Sequence, residues 1–115
     1  MSDGAFALFI DQSAGQGGGR EGRRVIPIPR ADEVRLSLAF DDFGGPPAAN
    51  TATARVRIID NNGNVRDDRT VTIRRGRSTF ITLQSDDRAV SVHTFPIAGP
   101  PETLAAVTAL VEFET

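Results

Sequence analysis

Short runs in which apolar and polar residues alternate, broken by turn-forming clusters, most restrict what this chain can fold into. Val34, Leu36, Leu38 and Phe40 alternate with Arg35, Ser37 and Ala39. Ala54, Val56 and Ile58 alternate with Arg55 and Arg57, and Val71 and Ile73 continue the pattern. Further runs cover residues 78–84 and 88–95, the latter with Val90 and Val92 on one side. Side chains two apart share a face of an extended chain, so each run predicts a strand with one buried face. Residues 25–29 carry Pro27 and Pro29, which cannot donate to a ladder, and this places them at a sheet edge. The first run is different. Phe6, Leu8 and Ile10 lie on one face and Ala5, Ala7 and Phe9 on the other, so this strand seeks cover on both sides.

The turns fall between these runs. Residues 41–50 contain Gly44, Gly45, Pro46 and Pro47, and residues 96–101 are rich in Pro and Gly. Residues 60–64 give the strongest turn signal, with Asn62-Gly63 suited to a type I′ hairpin. A two-residue turn there sets Arg57 opposite Asp68, a favourable pair. It also sets Asp67 and Arg69 on the face of Val56 and Ile58. A bulge, a wider loop or a strand break at residues 67–69 is therefore expected. Residues 101–111 have helical spacing at Leu104, Val107 and Val111 after Pro101. The period-two face of Ala105, Val107, Ala109, Val111 and Phe113 favours a strand instead.

At 115 residues the chain has the size of one domain. Seven to eight short strands with turns between them predict an all-β fold, a single antiparallel immunoglobulin-like β-sandwich. We expect an N-terminal strand at 5–11, a Gly-rich tether at 12–24 and the main sandwich at 25–115. Residues 56–60, Gly63-Asn64-Val65, residues 70–73 and Gly76-Arg77-Ser78 resemble the central hairpins of bacterial immunoglobulin-like or fibronectin-III-like modules. Residues 99–104, leading into the last strand, are similar to small uncharacterised bacterial sandwich proteins. The resemblance spans roughly residues 34–114. It implies a sandwich fold and little about function. The Trp and Cys of antibody domains are missing.

Composition removes most chemistry. There is no Cys, Trp, Tyr or Lys, and one His. Disulfides, thiol catalysis and Cys-based zinc sites are excluded. A lone His93 without a partnered nucleophile motif makes a poor base or ligand. Gly17-Gly18-Gly19-Arg20-Glu21-Gly22 fits a phosphate-loop spacing, but Pro27 and Pro29 forbid the helix such a loop must open. Asp60, Asn62 and Asn64 have the spacing of calcium ligands, yet Val65 and Val71 stand where an EF-hand needs Gly and Glu. A looser calcium site would need the pairs Asp41-Asp42, Asp67-Asp68 and Asp86-Asp87 to converge. No catalytic, cofactor or metal residues are nominated, and no enzyme activity is expected.

Net charge is −2, which gives no case for nucleic acid. All 13 basic residues are Arg, and residues 55–88 hold eight of them against five acids. No stacking aromatics interleave there, as a nucleic-acid surface would require. The chain as given has no signal-peptide core and no run approaching the roughly 20 apolar residues of a membrane span. We expect it to be intracellular, or processed and exported or virion-associated.

The expected function is that of a non-catalytic structural or interaction protein. It would be a subunit or accessory component of a larger assembly such as a filament, surface layer, virion or multi-subunit complex. Protein partners, its own copies in a homo-oligomer or other subunits, would meet Phe6, Leu8, Phe9 and Ile10 on the tethered first strand. Polar contacts would come from Arg55, Arg57, Arg74, Arg75 and Arg77. The alternative is a ligand-binding sandwich for carbohydrate or calcium. In that case Phe43, Phe80 or Phe95 would replace the usual Trp or Tyr platforms.

Overall fold

The computed structural model describes residues 4–11, 22–45, 50–95 and 104–115. The expected tether at 12–24 lies outside them up to residue 21. Eight strands form: β1 (Gly4–Asp11), β2 (Gly22–Pro27), β3 (Glu33–Gly44), β4 (Thr51–Asp60), β5 (Val65–Arg74), β6 (Ser78–Ile81), β7 (Asp87–Thr94) and β8 (Leu104–Glu114). The C-terminal segment takes the strand its period-two pattern favours. The described residues contain no helix, and so none long and apolar enough to cross a membrane.

Two four-stranded antiparallel sheets stack as a sandwich, with strand orders β1-β8-β3-β6 and β2-β7-β4-β5. The pairs β1·β8, β2·β7, β3·β6 and β4·β5 are nested like one long hairpin, and they alternate between the sheets. This is jelly-roll connectivity. Antibody-type sandwiches instead join the first, second, fifth and fourth strands in one sheet. Alternation and turn signals determine which segments are strands. They leave open which distant strand each one pairs with, so the sandwich was legible and the strand order was not.

The inner faces carry the alternating apolar residues. Ile26, Leu36, Leu38, Phe40, Val56, Ile58, Ile73, Val90, Val92, Val107 and Val111 are all fully buried. Each such side chain contributes about 1.5–3 kcal/mol relative to exposure. Leu36 and Leu38 sit opposite Val111 and Ala109, and Val56 and Ile58 opposite Val92 and Val90.

The β4–β5 hairpin departs from the expected turn. Gly63 has φ +83°, but among the described residues no non-glycine has positive φ, so Asn62 does not fit type I′. The loop is wider. Gly63 N donates to Asp60 O at 3.1 Å, and Asp60 N donates to Asn64 O at 2.9 Å. The Asp60 side chain sets the choice, since its Oδ1 accepts from Asn62 N (2.9 Å) and Asn64 N (3.0 Å). That Asx arrangement leaves positive φ to Gly63 alone.

The hairpin register then shifts between Ile58 and Ile59, leaving Arg66 as the extra residue. Arg57 faces Asp68 as expected, and Asp67 and Arg69 face Ile58 and Val56. The strand does not break there. β5 is a sheet edge, so Asp67 and Arg69 reach the rim, where they pair at 3.6 Å. Charges on the inner side of an edge strand also discourage edge-to-edge association.

Gly63→Ala is expected to lower stability by about 1–2 kcal/mol, because a Cβ strains the left-handed conformation, and Gly63→Asn by less. Urea unfolding midpoints at unchanged slope measure both.

Candidate functional site

The residues nominated from sequence fall into four places. The first is β1. It runs antiparallel to β8 of the same chain, with Phe6 opposite Val111 and Leu8 opposite Ala109. Phe6 and Leu8 are half-buried against the core and Ile10 is buried. Phe9 pairs with Thr108 through its backbone, and its side chain lies outside the described residues. β1 ends against the start of β2. A Cβ on Gly22 would stand 1.8 Å from the Ile10 carbonyl oxygen, so only glycine fits this crossing. Gly22 N in turn donates to the buried Thr94 Oγ1 at 3.0 Å.

The outer face of the same sheet was not singled out from sequence. Ala7, Leu110, Ser37 and Phe80 form one cross-strand row through all four strands. The row carries no charge, and Leu110 and Phe80 are 37% and 58% exposed. It is bordered on one side by Arg35, 3.5 Å from Glu112 and stacked over the Phe80 ring at 5.6 Å.

The second place is the outer face of the other sheet. Arg55 and Arg57 project from β4 beside Asp68 of β5. Arg55 binds Asp68 through Nε (2.9 Å) and Nη2 (2.7 Å), and Arg57 Nε lies 3.3 Å from the same carboxylate. The hydrogen bonds from Arg55 hold the Asp68 carboxyl below the usual carboxylate range. Arg23, Ser91 and His93 complete a recess of about 110 Å³ with Arg55 and Arg57. His93 lies 5.1 Å from Phe95, ring centre to ring centre.

The other three arginines are elsewhere. Arg74, Arg75 and Arg77 sit at the β5–β6 turn and line a separate recess with Asn50 and Thr51. Arg75 is pinned to Asp42 (2.9 Å) and to Asn50 Oδ1 (3.1 Å). The single arginine-rich segment of the sequence is thus two surfaces.

The fourth place is a groove of about 740 Å³ at one end of the sandwich, lined by Ile28, Asp32, Phe80, Leu83 and Gln84 among others. It includes Phe80, one of the three candidate platforms. The Phe43 side chain lies outside the described residues. The acid pairs are committed to arginines rather than to one another: Asp42 to Arg75, Asp67 to Arg69, Asp68 to Arg55 and Asp87 to Arg66. Among the described residues no group of three or more His, Asp or Glu could hold a metal.

Asp87, named from sequence only as one of the acid pairs, is 1% exposed. Arg66, the bulge residue, donates to it through Nε and Nη2, both at 2.7 Å, and Gln84 N donates to it at 2.7 Å. Only the unpaired position in the hairpin register hinted at this. Burial opposes the charge on Asp87, but Arg66 and the Gln84 amide outweigh it and hold the carboxyl below its ordinary value.

Asp87→Asn is expected to cost roughly 3 kcal/mol at neutral pH by leaving Arg66 without its counter-charge. A carboxyl whose folded pKa is depressed gives stability that is complete above its unfolded value, about 3.9. That stability is lost as pH falls through the folded value. Urea unfolding from pH 6 to pH 2 should show a loss in the native chain that is smaller in the variant.

No family model matches the chain, and no curated protein does. Three solved structures share its shape loosely. A protein from "Bacillus endospore appendages form a novel family of disulfide-linked pili" is 14% identical (TM-score 0.36; 97% of this chain, 88% of that one). A chain of infectious bursal disease virus Gx strain is 12% identical (TM-score 0.40; 96% and 32%). The family 11 carbohydrate-binding module of Clostridium thermocellum, solved with a mixed-linked tetrasaccharide, is 14% identical (TM-score 0.36; 98% and 86%). This chain spans about a third of the viral chain's length. Likenesses this distant carry nothing about what this chain binds or assembles with.

Proposed function

We propose that this sandwich is a non-catalytic interaction protein that works as a subunit of a larger assembly, with its own copies or other subunits as partners. The observation that carries this reading is the uncharged row Ala7, Leu110, Ser37 and Phe80 on the outer face of β1-β8-β3-β6. A sheet face bearing two exposed large apolar side chains, Leu110 on an inner strand and Phe80 on an edge strand, suits burial against another protein.

β1 belongs to this surface and is also its exchangeable part. It lies at a sheet edge, and residues 12–21 before β2 include Gly15, Gly17, Gly18 and Gly19. In an exchanged assembly Phe6, Leu8, Phe9 and Ile10 of one copy fill a neighbour's sandwich, with the β1·β8 ladder unchanged. Arg55, Arg57, Arg74, Arg75 and Arg77 then serve polar contacts at the margins. A second reading, a carbohydrate-binding module, rests on the groove that holds Phe80.

Solution mass by size-exclusion chromatography with light scattering, across a concentration series, tests the first reading. A mass above one chain that rises with concentration is expected. Leu110→Glu should shift it toward a single chain, since one charge opposes burial of that row. Deleting residues 1–12 should do the same if β1 exchanges. A mass of one chain throughout removes self-assembly and leaves the groove to be tested with soluble glucan oligosaccharides.

A further inference from the structure

The outer face of β2-β7-β4-β5 gathers positive charge in a way the folding of the sheet does not require. Arg23 lies directly opposite His93, and His93 directly opposite Arg55 on its other side. Arg57 lies opposite Ser91, one row along. Residues directly opposite across strands bring their Cβ atoms to about 4.5–5.5 Å, so two guanidinium side chains flank His93 from either side. One carboxylate, Asp68, contacts two of the three guanidinium groups, twice through Arg55 and once through Arg57.

Two features show capacity left over. Arg23 makes no ion pair or side-chain hydrogen bond among the described residues. The Arg57 Nε is shielded from solvent, and though it lies 3.3 Å from Asp68, it makes no aligned hydrogen bond. Between these groups is the recess of about 110 Å³, several times the ~30 Å³ share of one liquid water. Its rim holds the Ser91 hydroxyl, which can donate, and the His93 ring. Guanidinium forks match the paired oxygens of tetrahedral anions, and several of them around one recess make a site for such a group rather than for a single chloride.

We propose that Arg23, Arg55, Arg57, Ser91 and His93 form a binding site for a tetrahedral oxyanion group, sulfate or phosphate. The group is taken as the free anion or as a substituent on a larger sugar. The site lies on the sheet opposite the uncharged row, so its success or failure is independent of the assembly reading. Arg74, Arg75 and Arg77 take no part, because they line a different recess.

Titrating the full chain with sodium sulfate, at ionic strength held constant with sodium chloride, tests this by amide chemical shifts. The expected result is saturable movement of the Arg23, Arg55, Arg57, Ser91 and His93 signals, with chloride alone giving none. Arg57→Gln and Arg23→Gln each should weaken the apparent affinity about tenfold, the loss of one charge-assisted contact. Both side chains face outward, so the core is untouched, and unchanged core signals confirm folding. Arg77→Gln should bind as the native chain does. Asp68→Asn should bind more tightly, because it removes the competing carboxylate. A parallel titration with a sulfated disaccharide separates the sources: tighter saturation at the same signals favours the substituent, equal affinity the free anion. Shifts that never saturate, or that persist unchanged in Arg57→Gln, overturn the proposal.

Discussion

Two apolar sheet faces excluding water from one another hold this molecule together, and the order in which the strands pair follows from that demand. Neither sheet has a buried outer face, and among the described residues there is no helix to cover one. Every large buried side chain therefore sits in the layer between β1-β8-β3-β6 and β2-β7-β4-β5. Apart from the β4–β5 hairpin, the nested pairs deliver consecutive strands to opposite sheets, so each link that crosses the sandwich closes the layer a little further. The end of β1 approaches the start of β2 closely, where Gly22 meets the Ile10 carbonyl and the Thr94 hydroxyl bonds both the N–H and the carbonyl of Gly22. Gly22 was read in the sequence only as part of a glycine-rich run. Its requirement comes from backbone approach, which no local pattern encodes.

How much could be read in advance follows from which interactions are local. The strands of residues 34–40, 54–58 and 105–113 were legible because period-two burial is written into neighbouring residues. The hairpin register around Arg57 and Asp68 was legible because turn and pattern are adjacent. The turn type was not, since Asp60 decides it through its side chain rather than through the Asn-Gly signal. The Arg66–Asp87 pair joins residues 21 apart, and the recess of Arg23, Arg57 and His93 joins three strands. Both depend on β7 lying beside β4, a pairing that composition cannot announce.

The absence of lysine acquires a structural sense in these pairs. Arg55 on Asp68 and Arg66 on Asp87 are both two-point contacts, which a planar fork makes and an ammonium does not. The Arg66 pair closes the β4–β5 bulge onto the start of β7, at the end of the sandwich where the groove of about 740 Å³ opens. A lysine there would satisfy one carboxylate oxygen and leave Asp87 under-bonded in a dry setting.

The nested topology also ranks the strand pairs by how much of the fold depends on each. β4 and β5 are the innermost pair, joined by a short turn. β1 and β8 are the outermost, and closing them in one chain spans nearly its whole length. The entropy of closure grows only slowly with length, so the outermost pair is not much harder to make than the others. It is, however, the pair whose loss disturbs least, because no further strand is nested outside it. Removing β1 uncovers one edge of β8 and leaves the other three pairs intact. A strand held in that position is apolar toward the core and bare of charge at Ala5 and Ala7 on its outer side, so its place is fixed by the β1·β8 ladder and by the packing of Phe6, Leu8 and Ile10.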